Sequence, residues 1–122
     1  LDPVATLSAL KKKITKDARV LIVTHDESSL LRRVFGWRWP AFCLQHPQIY
    51  SPKTTEALLR AAGFDVVEQH KTVNHFKLSF LVKHALWALG IKVSRVPRFG
   101  DLTIGLKLGN ILTIATPNKD LV

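Results

Sequence analysis

Side chains able to do acid–base or nucleophilic chemistry crowd a short span of this chain. His25 and Asp26 adjoin, and Cys43, His46 and Tyr50 follow among Trp37, Trp39 and Phe42. Imidazole titrates near neutral pH, so His46 suits proton transfer and is the leading candidate for a catalytic group. Its competing role is a buried, hydrogen-bonded ring that fixes the loop. His25 with Asp26 suits a substrate contact; alternatively Asp26 or Ser28 satisfies backbone donors as a cap of the following helix. Trp37, Trp39, Phe42 and Tyr50 suit the wall of a pocket for an apolar or aromatic substrate, or else fill space between loop and sheet. Cys43, the only cysteine, reads as a small buried hydrophobe. It permits no internal disulfide and no cysteine-based metal site. Of the histidines only His70 and His75 are close in sequence, on or just past a strand, so no metal ligands are assigned.

The elements that must position these groups follow from pattern and caps. Asp2-Pro3 opens a helix as cap and first residue, with Val4, Leu7, Leu10 and Ile14 at roughly helical spacing. Lys11, Lys12, Lys13 and Lys16 crowd its end, where cations suit the helix dipole. Val20–Val23 is a continuous apolar run rich in β-branched residues, which predicts a strand buried on both faces of a parallel sheet. Thr24, His25 and Asp26 then stand at the carboxyl end of that strand, where ligands of such sheets sit. Residues 27–35 suit a short helix before Gly36. Ser51-Pro52 starts a second, with Thr55, Leu58, Leu59 and Ala62 on one stripe. Gly63 ends it in a left-handed conformation, followed by hydrophobic Phe64. Residues 64–73 predict a strand near a sheet edge. A further helix is expected over about 76–90. Leu78, Leu81, Val82, Ala85, Leu86 and Leu89 line one of its faces, and Phe80, His84 and Trp87 a second. One face is expected on the sheet, the other against a lid, a partner or a lipid-like ligand. A loop with Pro97, Gly100 and Gly105 precedes a closing strand in 108–117.

Length and composition bound the rest. The chain has 122 residues, 47% hydrophobic and 22% charged, which suits one folded domain. No window is long and apolar enough to span a membrane, and no signal-peptide pattern opens the chain. With a single cysteine this predicts a cytoplasmic setting. The chain has no methionine and opens on Leu1 directly before a helix cap, as expected of part of a longer polypeptide. The net charge of +9 suits a polyanion or an anionic membrane surface, or balances acidic residues elsewhere. Arg32, Arg33 and Arg38 beside Trp37 and Trp39 suit single-stranded nucleic acid, but no recognised nucleic-acid motif is present, and the apolar neighbours of the tryptophans argue for burial.

Two motifs carry a family likeness. The first is Asp2-Pro3 followed by leucines and 20-VLIVTHD-26. The second runs through Gly36, Trp39, His46, Tyr50-Ser51, Leu58-Leu59, Ala62-Gly63-Phe64 and Val66-Val67. Together they resemble the carboxyl-terminal half of a class I S-adenosylmethionine-dependent methyltransferase. The resemblance implies an α/β, Rossmann-like methyltransferase fold: the fifth to seventh strands, flanking helices and a helical insertion. It implies that residues 1–122 are the carboxyl-terminal part of a single domain, and that the closing strand lies antiparallel between the other two. It also implies methyl transfer to a small or lipophilic acceptor lying under residues 36–50 and the 76–90 helix. His46 would serve the chemistry, and His25, Trp37, Trp39 and Tyr50 would contact the acceptor. S-adenosylmethionine would be held mainly by the missing amino-terminal half, because the family's glycine-rich loop and acidic strand end do not occur here. The competing functions are a basic module for nucleic acid or an anionic membrane, and a non-catalytic piece that pairs with another chain to complete a sheet.

Overall fold

The computed structural model describes residues 2–39, 41–42, 46, 48–96, 102–107 and 109–119; Cys43, Pro97 and Gly100 lie outside them. Helix α1 (Pro3–Lys11) starts where Asp2 accepts a hydrogen bond from the Ala5 amide. Strand β1 (Val20–His25) leads to the short helix α2 (Leu30–Phe35) and a turn of 3-10 helix at Gly36–Arg38. Ser51 and Thr54 exchange side-chain and backbone bonds as a capping box at the start of α3 (Pro52–Ala61). After α3 come β2 (Phe64–Lys71), β3 (Asn74–Lys77), α4 (Leu78–Ala88), β4 (Thr103–Leu106) and β5 (Asn110–Pro117).

The principal sheet has the order β1-β5-β2, with β5 antiparallel to both neighbours. The closing strand therefore lies between the two earlier ones, which run parallel to each other with α3 in the crossover. On one face Leu59, Ala62, Phe64 and Ala115 form a fully buried cluster, flanked by Val4, Leu7, Ile14, Val20, Ile22 and Val66 from α1, the α1–β1 connection, β1 and β2. Gly63 makes this packing possible. Its φ of +86° turns the chain sharply from α3 into β2. A Cβ there would also lie 3.0 Å from the Lys11 side chain, which crosses it to reach Asn118 Oδ1 at 2.6 Å.

Two expectations need correction. The Val20–Val23 run is not buried on both faces of a parallel sheet: its described neighbour is antiparallel, and Leu21 and Val23 are 63% and 60% exposed. A continuous apolar run records which faces are fit for burial, not which are covered. Leu21 and Val23, with Ile114 and Leu112 opposite them, leave an apolar second face on the sheet. The second correction concerns residues 76–77, expected in a helix, and 103–106, expected in a loop; 76–77 belong to the strand that starts at Asn74. The two strands pair antiparallel, with Asn74 opposite Leu106 and Lys77 opposite Thr103. Gly105 thus belongs to a strand, where it makes room for the His75 ring on its partner. Helix α4 starts later than expected and rests on β3 rather than being packed into the principal sheet; none of its residues is fully buried.

Candidate functional site

The site begins where β1 ends. His25 and Asn110 face each other across the β1–β5 ladder, and their side chains meet at 2.6 Å between Nδ1 and Oδ1. An amide oxygen only accepts, so His25 Nδ1 carries a proton and Nε2 presents its lone pair. Burial pushes the His25 pKa below its ordinary value; the Asn110 bond opposes this and nearby His46 adds to it. The ring is therefore neutral at physiological pH, oriented, and equipped with a free basic nitrogen.

A cavity of about 900 Å³ opens beside this pair. Leu31 and Phe35 of α2, with Trp39 and Ala41, form one wall, and Phe80, Leu81, His84, Ala85 and Ala88 of α4 form another. Phe76 and Leu106 of the small sheet contribute as well. The lining is mostly hydrocarbon and aromatic with four imidazoles and the two amides of Asn74 and Asn110, as suits an organic ligand of drug size. The aromatic residues of the α4 wall belong to a ladder that continues past the cavity to Trp87. Phe76 stacks on Phe80 with centroids 5.7 Å apart, His84 lies 3.9 Å from Phe80, and Trp87 is 5.8 Å from His84. The Phe80 carbonyl receives the Nδ1 proton of His84 at 2.9 Å, which leaves Nε2 of that ring free as well.

The expected site residues divide. His25, His46 and Trp39 come together: the His25 ring lies 4.4 Å from His46 and 6.0 Å from Trp39, edge to face in both cases. Trp39 is buried and His46 stands at the exposed side of the cavity. Gly109 makes room beside this group for Ser29, because a Cβ there would lie 2.9 Å from Ser29 Oγ. Trp37 and Tyr50 do not line the cavity. Trp37 is 87% exposed, beside Phe42 and with the Arg32 guanidinium 5.9 Å from its ring. Tyr50 fastens the loop to the strand end: its carbonyl accepts from the Glu27 amide and its hydroxyl donates to Gln48 Oε1. Asp26 is buried, and its Oδ1 accepts from the backbone and hydroxyl of Ser28 while Ser29 caps α2. Asp26 thus makes the Asx-type turn foreseen for this stretch, and the helix cap falls one residue beyond Ser28.

Asn110 is the residue the sequence did not single out. Its one local signal is a polar side chain just after Gly109, at the start of the closing strand. Its partnership with a histidine 85 positions away exists only through the β1–β5 register. No group of three or more histidine, cysteine, aspartate or glutamate side chains fit for a metal occurs among the described residues, and no helix among them is long and apolar enough to cross a membrane.

A family model described as a methyltransferase domain matches residues 1–69. The match takes in β1, the 36–50 segment, α3 and most of β2, and stops before α4 and β5. No curated protein and no solved structure matches the chain.

Proposed function

The chain belongs to the methyltransferase domain family, and on that premise we propose that it forms the acceptor-binding, carboxyl-terminal part of a Rossmann-like methyltransferase domain. The acceptor is a lipophilic molecule with an ionisable hydroxyl, such as an alkylated phenol. The observation that carries this reading is the His25–Asn110 pair opening onto a large apolar cavity at the carboxyl end of a strand. Hydrocarbon walls favour a lipophilic acceptor, and a neutral imidazole with a free Nε2 is fit to take the hydroxyl proton as the oxygen becomes methylated. His46, on the exposed side of the same ring pair, is fit to bind and orient the acceptor, as is Trp39.

Methyltransferases of this family generally use S-adenosylmethionine. The described residues do not fit as its cradle. A Rossmann-type cradle needs glycines in a turn from a strand into a helix, so that backbone can approach the ligand. Here the turn from β1 into α2 is Asp26-Glu27-Ser28-Ser29, and β3 runs directly into α4. No contact with the donor is therefore assigned to these residues. Two features support a cofactor-binding part outside them. The edge of β1 away from β5 is unpaired among the described strands, and the second sheet face carries exposed Leu21 and Val23. Further strands and helices of the same domain would cover both.

Turnover of a complete domain against phenols of increasing alkyl length tests the acceptor class. Each buried methylene is worth about 0.8 kcal/mol, so kcat/KM rises about fourfold per added methylene until the cavity is filled. A series that stays flat as the tail grows would rule out the apolar cavity as the acceptor site.

A further inference from the structure

The two helices that wall the cavity also carry apolar residues that no described part of the chain covers. On α2 and its 3-10 extension, Leu30, Val34 and Trp37 recur at helical spacing, and each is more than half exposed. At the other wall, Phe80, Trp87, Leu89 and Ile91 are exposed along and just after α4. Arg38 Nη1 donates to the Ala88 carbonyl at 3.3 Å, which ties the Trp37 turn to the end of α4. The exposed apolar residues thus frame the cavity from both sides. Patches of this kind on a soluble chain mark interaction sites.

The charge pattern identifies the partner. Between Ser28 and Thr55 the chain has Arg32, Arg33, Arg38 and Lys53 and no acidic residue. Between Gln69 and Gly100 it has Lys71, Lys77, Lys83, Lys92, Arg95 and Arg98, again with no acidic residue. The acid-free stretches are the ones that contain the two cavity walls, whereas the acidic residues fall in the first 27 positions, in α3 and β2, and near the carboxyl end. Apolar stripes with tryptophans, flanked only by cations, match the layering of an anionic lipid surface: aromatic rings at headgroup depth, aliphatic side chains below, lysine and arginine on lipid phosphates. Lys83 already lies 4.9 Å from the Trp87 ring, a pairing that suits this boundary. A nucleic acid would satisfy the cations but gain nothing from Leu30, Val34, Leu89 and Ile91.

We propose that α2 with its 3-10 turn and α4 form an interfacial docking surface for an anionic membrane, and that the cavity between them takes its lipophilic acceptor from that membrane. The second clause rests on the reading of the cavity as an acceptor site; the first does not.

Flotation of the 122-residue chain with vesicles separates the two. The chain is expected to float with vesicles of equal parts phosphatidylcholine and phosphatidylserine and to remain free with phosphatidylcholine alone. Bromine-labelled lipid should quench tryptophan fluorescence in the bound state, and Trp37→Ala combined with Trp87→Ala should remove most of that quenching. The pair Lys83→Glu and Lys92→Glu should weaken binding about tenfold or more, since each cation near such a surface is worth about 1 kcal/mol. Trp37, Trp87 and Lys92 are exposed and Lys83 is half-buried, and unchanged circular dichroism would confirm that the variants fold. Failure to float with phosphatidylserine vesicles overturns the proposal. So does binding that heparin or polyuridine abolishes while Trp37→Ala, Trp87→Ala and bromolipid leave it unaltered, the behaviour of a nucleic-acid module. Vesicle binding needs no acceptor, so a phenol that fails to enter the cavity would defeat the acceptor reading and leave the docking surface standing.

Discussion

In a complete domain carrying this chain, His25→Gln lowers kcat for methyl transfer to an alkylphenol by about a hundredfold or more, with a smaller change in KM. Glutamine approximates the reach of the side chain but cannot accept and hold a proton. The wild-type rate falls at low pH as the His25 ring takes up a proton. That limb lies below the ordinary histidine value of about 6.5, because burial holds the pKa down. In His25→Gln the limb is lost. Asn110→Ala has a smaller effect of about tenfold, since it frees the ring to rotate without removing the base. It should also shift the pH limb, which a merely structural role would not do. Steady-state rates across pH for the three proteins check this set. If His25→Gln turns over normally and His46→Ala does not, the proton-accepting role belongs to His46, the candidate favoured by sequence.

The largest effect on stability is expected from Phe64→Ala. Phe64 is fully buried where α3 turns into the sheet, in one cluster with Leu59, Ala62 and Ala115. Truncation removes the ring's transfer free energy and leaves a cavity, together about 3–5 kcal/mol. Domains of this size hold only roughly 5–15 kcal/mol in all, so the variant unfolds at low denaturant or loses cooperativity. Urea titration followed by fluorescence of buried Trp39 measures it. Trp37→Ala, which removes a side chain of greater volume at an exposed position, should move the midpoint by no more than about 0.5 kcal/mol. Equal effects for the two substitutions would mean that the core is not where Phe64 lies.

The contrast between those two residues shows what was legible. Helix α3 was readable from its caps because Ser51, Pro52 and Gly63 each answer a local backbone requirement, and local chemistry is written in adjacent residues. Trp39 and His46 were legible as candidates by type, but nothing in the sequence separated Trp39 from Trp37. Trp37 lies on the 3-10 turn and stands in solvent, whereas Trp39 follows it in extended backbone and is buried beside His25. The β3–β4 pairing was hidden because Phe76 also fits the helical stripe of Phe80 and His84, and its strand partner lies beyond a long insertion. Asn110 was hidden for the same reason: it acts only through a register set by distant residues.

One titration in the chain itself tests whether the cavity beside His25 is the acceptor site. Adding 4-octylphenol while recording nuclear magnetic resonance of the imidazole and indole groups should shift His25, His84 and Trp39 together, with one saturation curve. Trp37 should stay in place when no lipid is present, because it lies outside the cavity. Changes confined to Trp37, or none at His25 at saturating phenol, would rule the cavity out as the acceptor site.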